Sequence, residues 1–278
     1  MNYQWYPGHM TKAKRMMQEN IKLIDLIIEL VDARIPLSSR NPDIDEMGKN
    51  KFRMVLLNKS DLADPVWNKK WMDWFESQGI HALEINSKTG AGIRSINGLV
   101  QEACREKLER DRKRGIVNRP VRAMVAGIPN VGKSTFINSF AGKACTKTGN
   151  KPGVTRGKQW IRLNKDLELL DTPGILWPKQ ETGAGMRLAL IGSMNDEVII
   201  PEELACDLLS CLKELCPKAV EERYGILWQE TLPLTLEEIA RSRGCFTKGE
   251  SLDLKKASGL LTDDFRKGKL GRITLERP

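Results

Sequence analysis

Long apolar runs are missing from this chain of 278 residues. None approaches the ~18 residues that a bilayer-spanning helix needs. A charged-then-apolar leader is missing too: Trp5, Tyr6, Pro7 and Gly8 precede only a short helical stretch from Thr11. A cytoplasmic protein with no membrane partner is expected. Cysteines in C-x-x-C spacing are absent. Cys206, Cys211 and Cys216 stand five apart, which suits no common metal site and turns successive thiols off one helix face. They read as small, reduced hydrophobes. The chain carries no internal repeat, no low-complexity tract and no basic-aromatic RNA motif. Histidine is scarce, with only His9 and His81.

What remains is ordinary for a globular protein: 40% hydrophobic and 29% charged residues. The length suits one large domain and a smaller one, each with its own core. The net charge of +9 is spread unevenly. Residues 1–186 carry a balance of +11, residues 187–240 of −7 and residues 241–278 of +5. A basic first part and a basic tail suggest a polyanionic partner.

Strand-like apolar runs recur with helices between them. Leu26–Val31 ends at Asp32-Ala33-Arg34, Phe52–Leu57 at Asn58, Ile80–Ile85 at Asn86 and Val121–Ala126 at Gly127. Gln159–Leu163 and Leu167–Leu170 form a hairpin through Asn164-Lys165-Asp166. This alternation predicts an α/β fold with a mostly parallel sheet of six strands and helices on both faces. Ligands of such sheets sit beyond the carboxyl ends of the strands. Glu102–Arg119, with Arg110, Arg112, Lys113 and Arg114, reads as a charged helix end and a solvated linker. Beyond about residue 185 the pattern is helical. Leu204, Leu208, Leu212 and Leu215 keep helical spacing in Pro201–Cys216, Thr235-Leu236-Glu237-Glu238 resembles a helix start, and Ser251–Phe265 is helical. Two domains are expected, 1–186 and an all-helical 187–278.

Chemistry concentrates at the strand ends. Gly127-Ile128-Pro129-Asn130-Val131-Gly132-Lys133-Ser134 fits G-x-x-x-x-G-K-[ST] and lies between a strand and a helix. Its backbone N–H groups, including those near Val131, Gly132 and Thr135, suit a phosphate cradle. Lys133 brings charge to the β- and γ-phosphates, and the Ser134 hydroxyl suits Mg²⁺. Asp171-Thr172-Pro173-Gly174 fits D-x-x-G after a strand. Asp171 is the second Mg²⁺-side group, and the Gly174 N–H suits the γ-phosphate. Between them lies Lys151-Pro152-Gly153-Val154-Thr155-Arg156-Gly157, a switch-like loop. Thr155 is the chosen Mg²⁺ threonine, with Thr146 and Thr148 as rivals.

Asn58-Lys59-Ser60-Asp61 fits the guanine reader N-K-x-D. A carboxylate at Asp61 accepts two N–H bonds from guanine, and adenine offers no such pair, so an ATPase is disfavoured. Asn86-Ser87-Lys88 resembles the S-A-K segment that supports the base, with Asn86 and Ser87 the better aligned. These motifs point to GTP with Mg²⁺. Their order is reversed, however: the guanine reader lies about 70 residues before the phosphate loop. The position after D-x-x-G, where many GTPases carry a water-orienting glutamine, is Ile175. His9 is a candidate replacement, equally suited to a structural or surface role. Asn130 is a candidate ligand for a monovalent cation.

Together these residues resemble the circularly permuted GTPases, most closely the bacterial ribosome biogenesis GTPase A family. The resemblance rests on Trp5-Tyr6-Pro7-Gly8-His9-Met10, on Asp32-Ala33-Arg34-Ile35-Pro36 and on the motif order, and it covers most of the chain. It implies a permuted P-loop GTPase domain followed by a small helical domain that contacts ribosomal RNA. The implied activity is hydrolysis of GTP to GDP, stimulated by the particle, in late maturation of the large (50S) subunit. It implies a hydrolytic role for His9 and links Asn130 to K⁺. The expected partner is the large ribosomal subunit or its precursor, with no DNA. The alternative is a nucleotide-gated RNA-binding or scaffold protein whose hydrolysis is incidental.

Overall fold

The computed structural model describes residues 7–116, 119–145, 159–172, 174, 176, 183–194 and 199–278; for residues 7–13 and 159 it describes the backbone alone. In chain order the elements are α1 (Pro7–Asn20), β1 (Leu26–Asp32), α2 (Pro42–Met47), β2 (Phe52–Asn58), α3 (Pro65–Ser77), β3 (His81–Glu84), α4 (Ile96–Ala103), α5 (Arg105–Lys113), β4 (Val121–Gly127), α6 (Lys133–Ala141), β5 (Gln159–Arg162) and β6 (Leu167–Asp171). Then follow α7 (Ala184–Leu190), α8 (Pro201–Leu215), α9 (Pro217–Tyr224), α10 (Leu232–Ser242) and α11 (Leu254–Arg266).

The six strands form one sheet in the order β3-β2-β1-β4-β6-β5. Every pairing is parallel except β5 with β6, the expected hairpin. The Asn164 side chain closes that hairpin by accepting from the Asp166 N–H at 2.8 Å. Near-continuous apolar strands such as Leu26–Asp32, buried throughout, are what a sheet covered on both faces requires. β2 shows how the two faces are served. Val55 and Leu57 pack with Trp71 and Phe75 of α3, while Met54 and Leu56 join the larger core with Ile96 and Val100 of α4.

That larger core continues into the C-terminal helices through Leu204, Leu208, Leu212, Leu236, Leu261 and Phe265. The helices are tied by Asp264, fully buried, which pairs with Arg223 Nε at 2.8 Å and Lys269 Nζ at 3.0 Å. The segment after α11 returns to the first half of the sheet. The Ile273 N–H donates to Leu62 O at 3.0 Å and the Leu275 N–H to Arg34 O at 2.8 Å. Glu276 accepts from the Leu37 N–H at 2.7 Å.

Two local expectations differ from the structure. The charged stretch after residue 102 is mostly helix, because α5 has a buried side: Lys107 is 4% exposed and bonds Asp111 at 2.9 Å, beside Asp25 at 3.6 Å. The last helix pair starts earlier than Thr235. The cap is Thr231, whose hydroxyl accepts from the Leu234 N–H, with a proline in the first turn. Thr235 is buried inside α10 and donates back to Thr231 O. None of the six cysteines is in a disulfide. Among the described residues no helix is long and apolar enough to cross a membrane.

Candidate functional site

β4 ends in the phosphate loop, and its last residue must be glycine. Gly127 pairs with Leu30 of β1, and a Cβ there would lie 2.6 Å from Leu30 O. Gly132 caps α6 at φ 102°, and a Cβ there would lie 2.5 Å from Asn58 Nδ2. Lys133, Ser134 and Thr135 then form the first turn of α6, and a helix N-terminus suits an anion. Lys133 is 7% exposed and its Nζ donates to Gly127 O at 3.0 Å and Ile128 O at 2.8 Å. Burial pushes the ammonium pKa down to about 8, with the Asp171 carboxylate opposing.

The guanine motif is wired to that loop. Asn58, 2% exposed, donates from Nδ2 to Val131 O at 2.7 Å. Its Oδ1 accepts from the Ser87 N–H at 3.0 Å and the Ser87 hydroxyl at 2.8 Å. One amide therefore joins the ends of β2 and β4 to the loop after β3. Lys59, at φ 58°, donates from Nζ to Asn130 O at 2.9 Å. Asn130 itself sits at φ 58° and its Nδ2 donates to Gly192 O at 2.7 Å. The Ser60 N–H donates to Ile85 O at 3.1 Å, and Asp61 is exposed in the single turn Ser60–Leu62. Asn86 shapes its own loop, since its Oδ1 accepts from the Lys88 N–H at 2.9 Å and the Thr89 N–H at 3.0 Å.

On the other side of β4, Asp171 ends β6 opposite Val125 and is 1% exposed. Thr172 anchors the turn by donating to Val125 O at 2.7 Å. Gly174 lies against the phosphate loop: a Cβ there would lie 2.7 Å from Lys133 Nζ and 2.8 Å from Pro129 N. Ser134 follows Lys133 at the start of α6, and Asp171 lies near enough to Lys133 to oppose the fall in its pKa; hydroxyl and carboxylate oxygens are the ligand type that Mg²⁺ takes.

The guanine motif, phosphate loop, D-x-x-G turn and Asn86-Ser87 segment thus share one end of the sheet. Thr155, its rivals Thr146 and Thr148, and Ile175 lie outside the described residues. His9 lies in the first turn of α1, and its side chain lies outside them too. Two groups around the site were not foreseen. Asp32, beside Asn58 in register, lies 3.0 Å from Lys59 Nζ. Arg272 donates to Ser60 O at 2.9 Å and Ala63 O at 2.8 Å. A carboxylate ending an apolar strand was a usable signal for Asp32. Nothing local marks Arg272.

A family model described as 50S ribosome-binding GTPase matches residues 122–211. Ribosome biogenesis GTPase A of Bacillus cereus is 45% identical over 280 aligned positions, covering 100% of this chain and 95% of that protein. The protein of the same name from Thermotoga maritima is 32% identical, covering 99% of this chain and 94% of its own length. A GDP-bound structure of Thermotoga maritima YlqF superposes with TM-score 0.67 at 27% identity, covering 94% of this chain and 98% of that one. A GNP-bound structure of the same protein gives 0.66 at 28%, covering 96% and 98%. With full-length similarity at this level, and the same nucleotide motifs gathered at one sheet end, the chain belongs to the ribosome biogenesis GTPase A family and is a GTPase of ribosome biogenesis.

Proposed function

We propose that this protein hydrolyses GTP to GDP as a switch in late maturation of the large ribosomal subunit, acting on the subunit or its precursor in the cytoplasm. The single observation that carries the proposal is the wiring of base reader to phosphate loop through Asn58 and Lys59. Lys133 neutralises the β- and γ-phosphates, aided by the loop N–H groups from Asn130 to Thr135 and by the Gly174 N–H. Asp61 reads guanine, with Asn58, Lys59, Ser60, Asn86 and Ser87 holding the base pocket in shape. Mg²⁺ would be held by Ser134, Asp171 and Thr155, and when bound it draws charge from the phosphate oxygens. With Ile175 in the glutamine position, His9 orients the attacking water, and Asn130 would hold a K⁺, which would add positive charge there.

The helical unit, residues 187–278, is the part proposed to reposition on ribosomal RNA. Its −7 stretch argues against the whole unit as an RNA clamp, so the basic tail and the basic nucleotide domain carry the contact. The 50S wording of the matched family model supports this partner. The test is co-sedimentation with large subunits and their precursors in GTP, GDP and a non-hydrolysable analogue, with turnover measured in parallel. Nucleotide-dependent binding with particle-stimulated turnover is expected. Equal binding in all three states and unstimulated turnover would leave only a scaffold.

A further inference from the structure

The Asp32-Ala33-Arg34-Ile35-Pro36 run has no part in the roles above, yet it holds a fully buried charge cluster. Asp32 is 0% and Arg34 1% exposed. Arg34 grips the carboxylate with two parallel bonds, Nε to Oδ1 at 2.8 Å and Nη2 to Oδ2 at 2.8 Å. The Arg34 N–H adds a third at 3.1 Å. Lys59 Nζ is 3.0 Å from Asp32 Oδ2, while donating to Asn130 O. Burial alone would raise the Asp32 pKa. Arg34 and Lys59 outweigh it and hold the carboxyl well below the usual carboxylate range. The ammonium is therefore tethered between the end of β1 and the phosphate loop.

The far side of Arg34 reaches the C-terminal helices. Its guanidinium lies 5.2 Å from the Phe265 ring centroid, and its Nη1 donates to Arg266 O at 3.4 Å. A line of direct contacts thus runs from Lys59 through Asp32 and Arg34 to the last turn of α11.

We propose that Asp32 and Arg34 are positioning residues for Lys59, and that through Arg34 the seating of α11 sets how long guanine nucleotide stays bound. The proposal rests on Asn58–Asp61 being the guanine reader. Free lysine side chains sample many rotamers, and a tethered ammonium removes that freedom before the nucleotide arrives. A partner that shifts α11 would loosen Lys59 and speed release, with no contact to the nucleotide.

The experiment is the dissociation rate of a fluorescent GDP analogue from the full-length protein. Asp32→Asn is expected to release it about tenfold faster, and Arg34→Lys about threefold faster. The double variant Asp32→Asn, Lys59→Ala is expected to release no faster than Lys59→Ala alone, because both act through one contact. A purely structural role would lower the melting temperature and leave the two effects additive. If Asp32→Asn does not fold, the decision passes to Phe265→Leu, which keeps an apolar side chain but removes the ring from Arg34; about a twofold rate increase is expected. Additive effects, or an unchanged rate in a folded Asp32→Asn or, failing that, in Phe265→Leu, overturn the proposal. Asp61→Asn serves as the control. Should it keep its preference for GTP over xanthosine triphosphate, the guanine-reader assignment fails as well. Should it switch while Asp32→Asn changes nothing, only the positioning role falls.

Discussion

Asn58→Ala is the most demanding perturbation of this site, because one small side chain holds three loops. Asn58 donates to Val131 O at 2.7 Å and accepts from the Ser87 N–H at 3.0 Å and hydroxyl at 2.8 Å. Val131 is fully buried and Ser87 is 4% exposed, so water cannot readily replace the lost partner. The Ser87 hydroxyl can rotate, but the Ser87 N–H and the Val131 carbonyl cannot. Two orphaned backbone groups at about 1–3 kcal/mol each give a loss of about 2–6 kcal/mol. For a protein of this size, a central value near 4 kcal/mol corresponds to a melting temperature lowered by about 8–16 °C. The same loss frees the phosphate loop from the guanine motif, so GDP affinity should fall together with stability. Urea unfolding of the nucleotide-free protein and a fluorescence titration with GDP measure the two quantities. A stability loss below about 1 kcal/mol with unchanged GDP affinity would refute the brace, since it is less than one ordinary hydrogen bond.

Gly174→Ala should impair GTP more than GDP, because its methyl group would press on the Pro129 backbone at 2.8–2.9 Å; overpacking costs about 1–3 kcal/mol, and equal affinities for a GTP analogue in parent and variant would contradict the close approach. The protonated Lys133 is the form that attracts phosphate, and its pKa in the folded protein is about 8 against the ordinary 10.5, so nucleotide affinity should hold below pH 8 and decline as pH rises through it. Stability of the nucleotide-free protein should move the other way, rising from pH 8 towards 10.5 as the neutral form favoured by burial takes over; flat profiles in Lys133→Gln and a sloping parent are the expected pair of titrations. Replacing K⁺ by Na⁺ should slow hydrolysis at fixed ionic strength, and equal rates would remove the cation role of Asn130.

The sheet and its motifs could be read from the chain because each strand carries its own signal: an apolar run, then a polar or glycine residue where the chain turns. Leu26–Val31 and Val121–Ala126 are recognisable without their neighbours. The α5 helix was harder, since its buried side is charged. Lys107 and Asp111 neutralise one another across one helical turn, which no apolar periodicity reports. The start of α10 was missed because two threonines four apart compete for the cap, and the neighbouring proline favours the first. Contacts such as Arg272 to Ser60 O depend on where a distant segment docks, and no local pattern encodes that.

The bond from Arg272 to Ser60 O joins residues 212 positions apart. A growing chain therefore makes β1, β2 and the base-reading turn long before it makes the arginine that steadies them. Until Arg272 emerges, the Ser60 and Ala63 carbonyls depend on water, and the turn has one support fewer. Long-range closures of this kind form late and slowly. Nascent chains would thus gain full hold on guanine only after Arg272 has been made, so a chain still lacking it would compete poorly for nucleotide with chains that carry it.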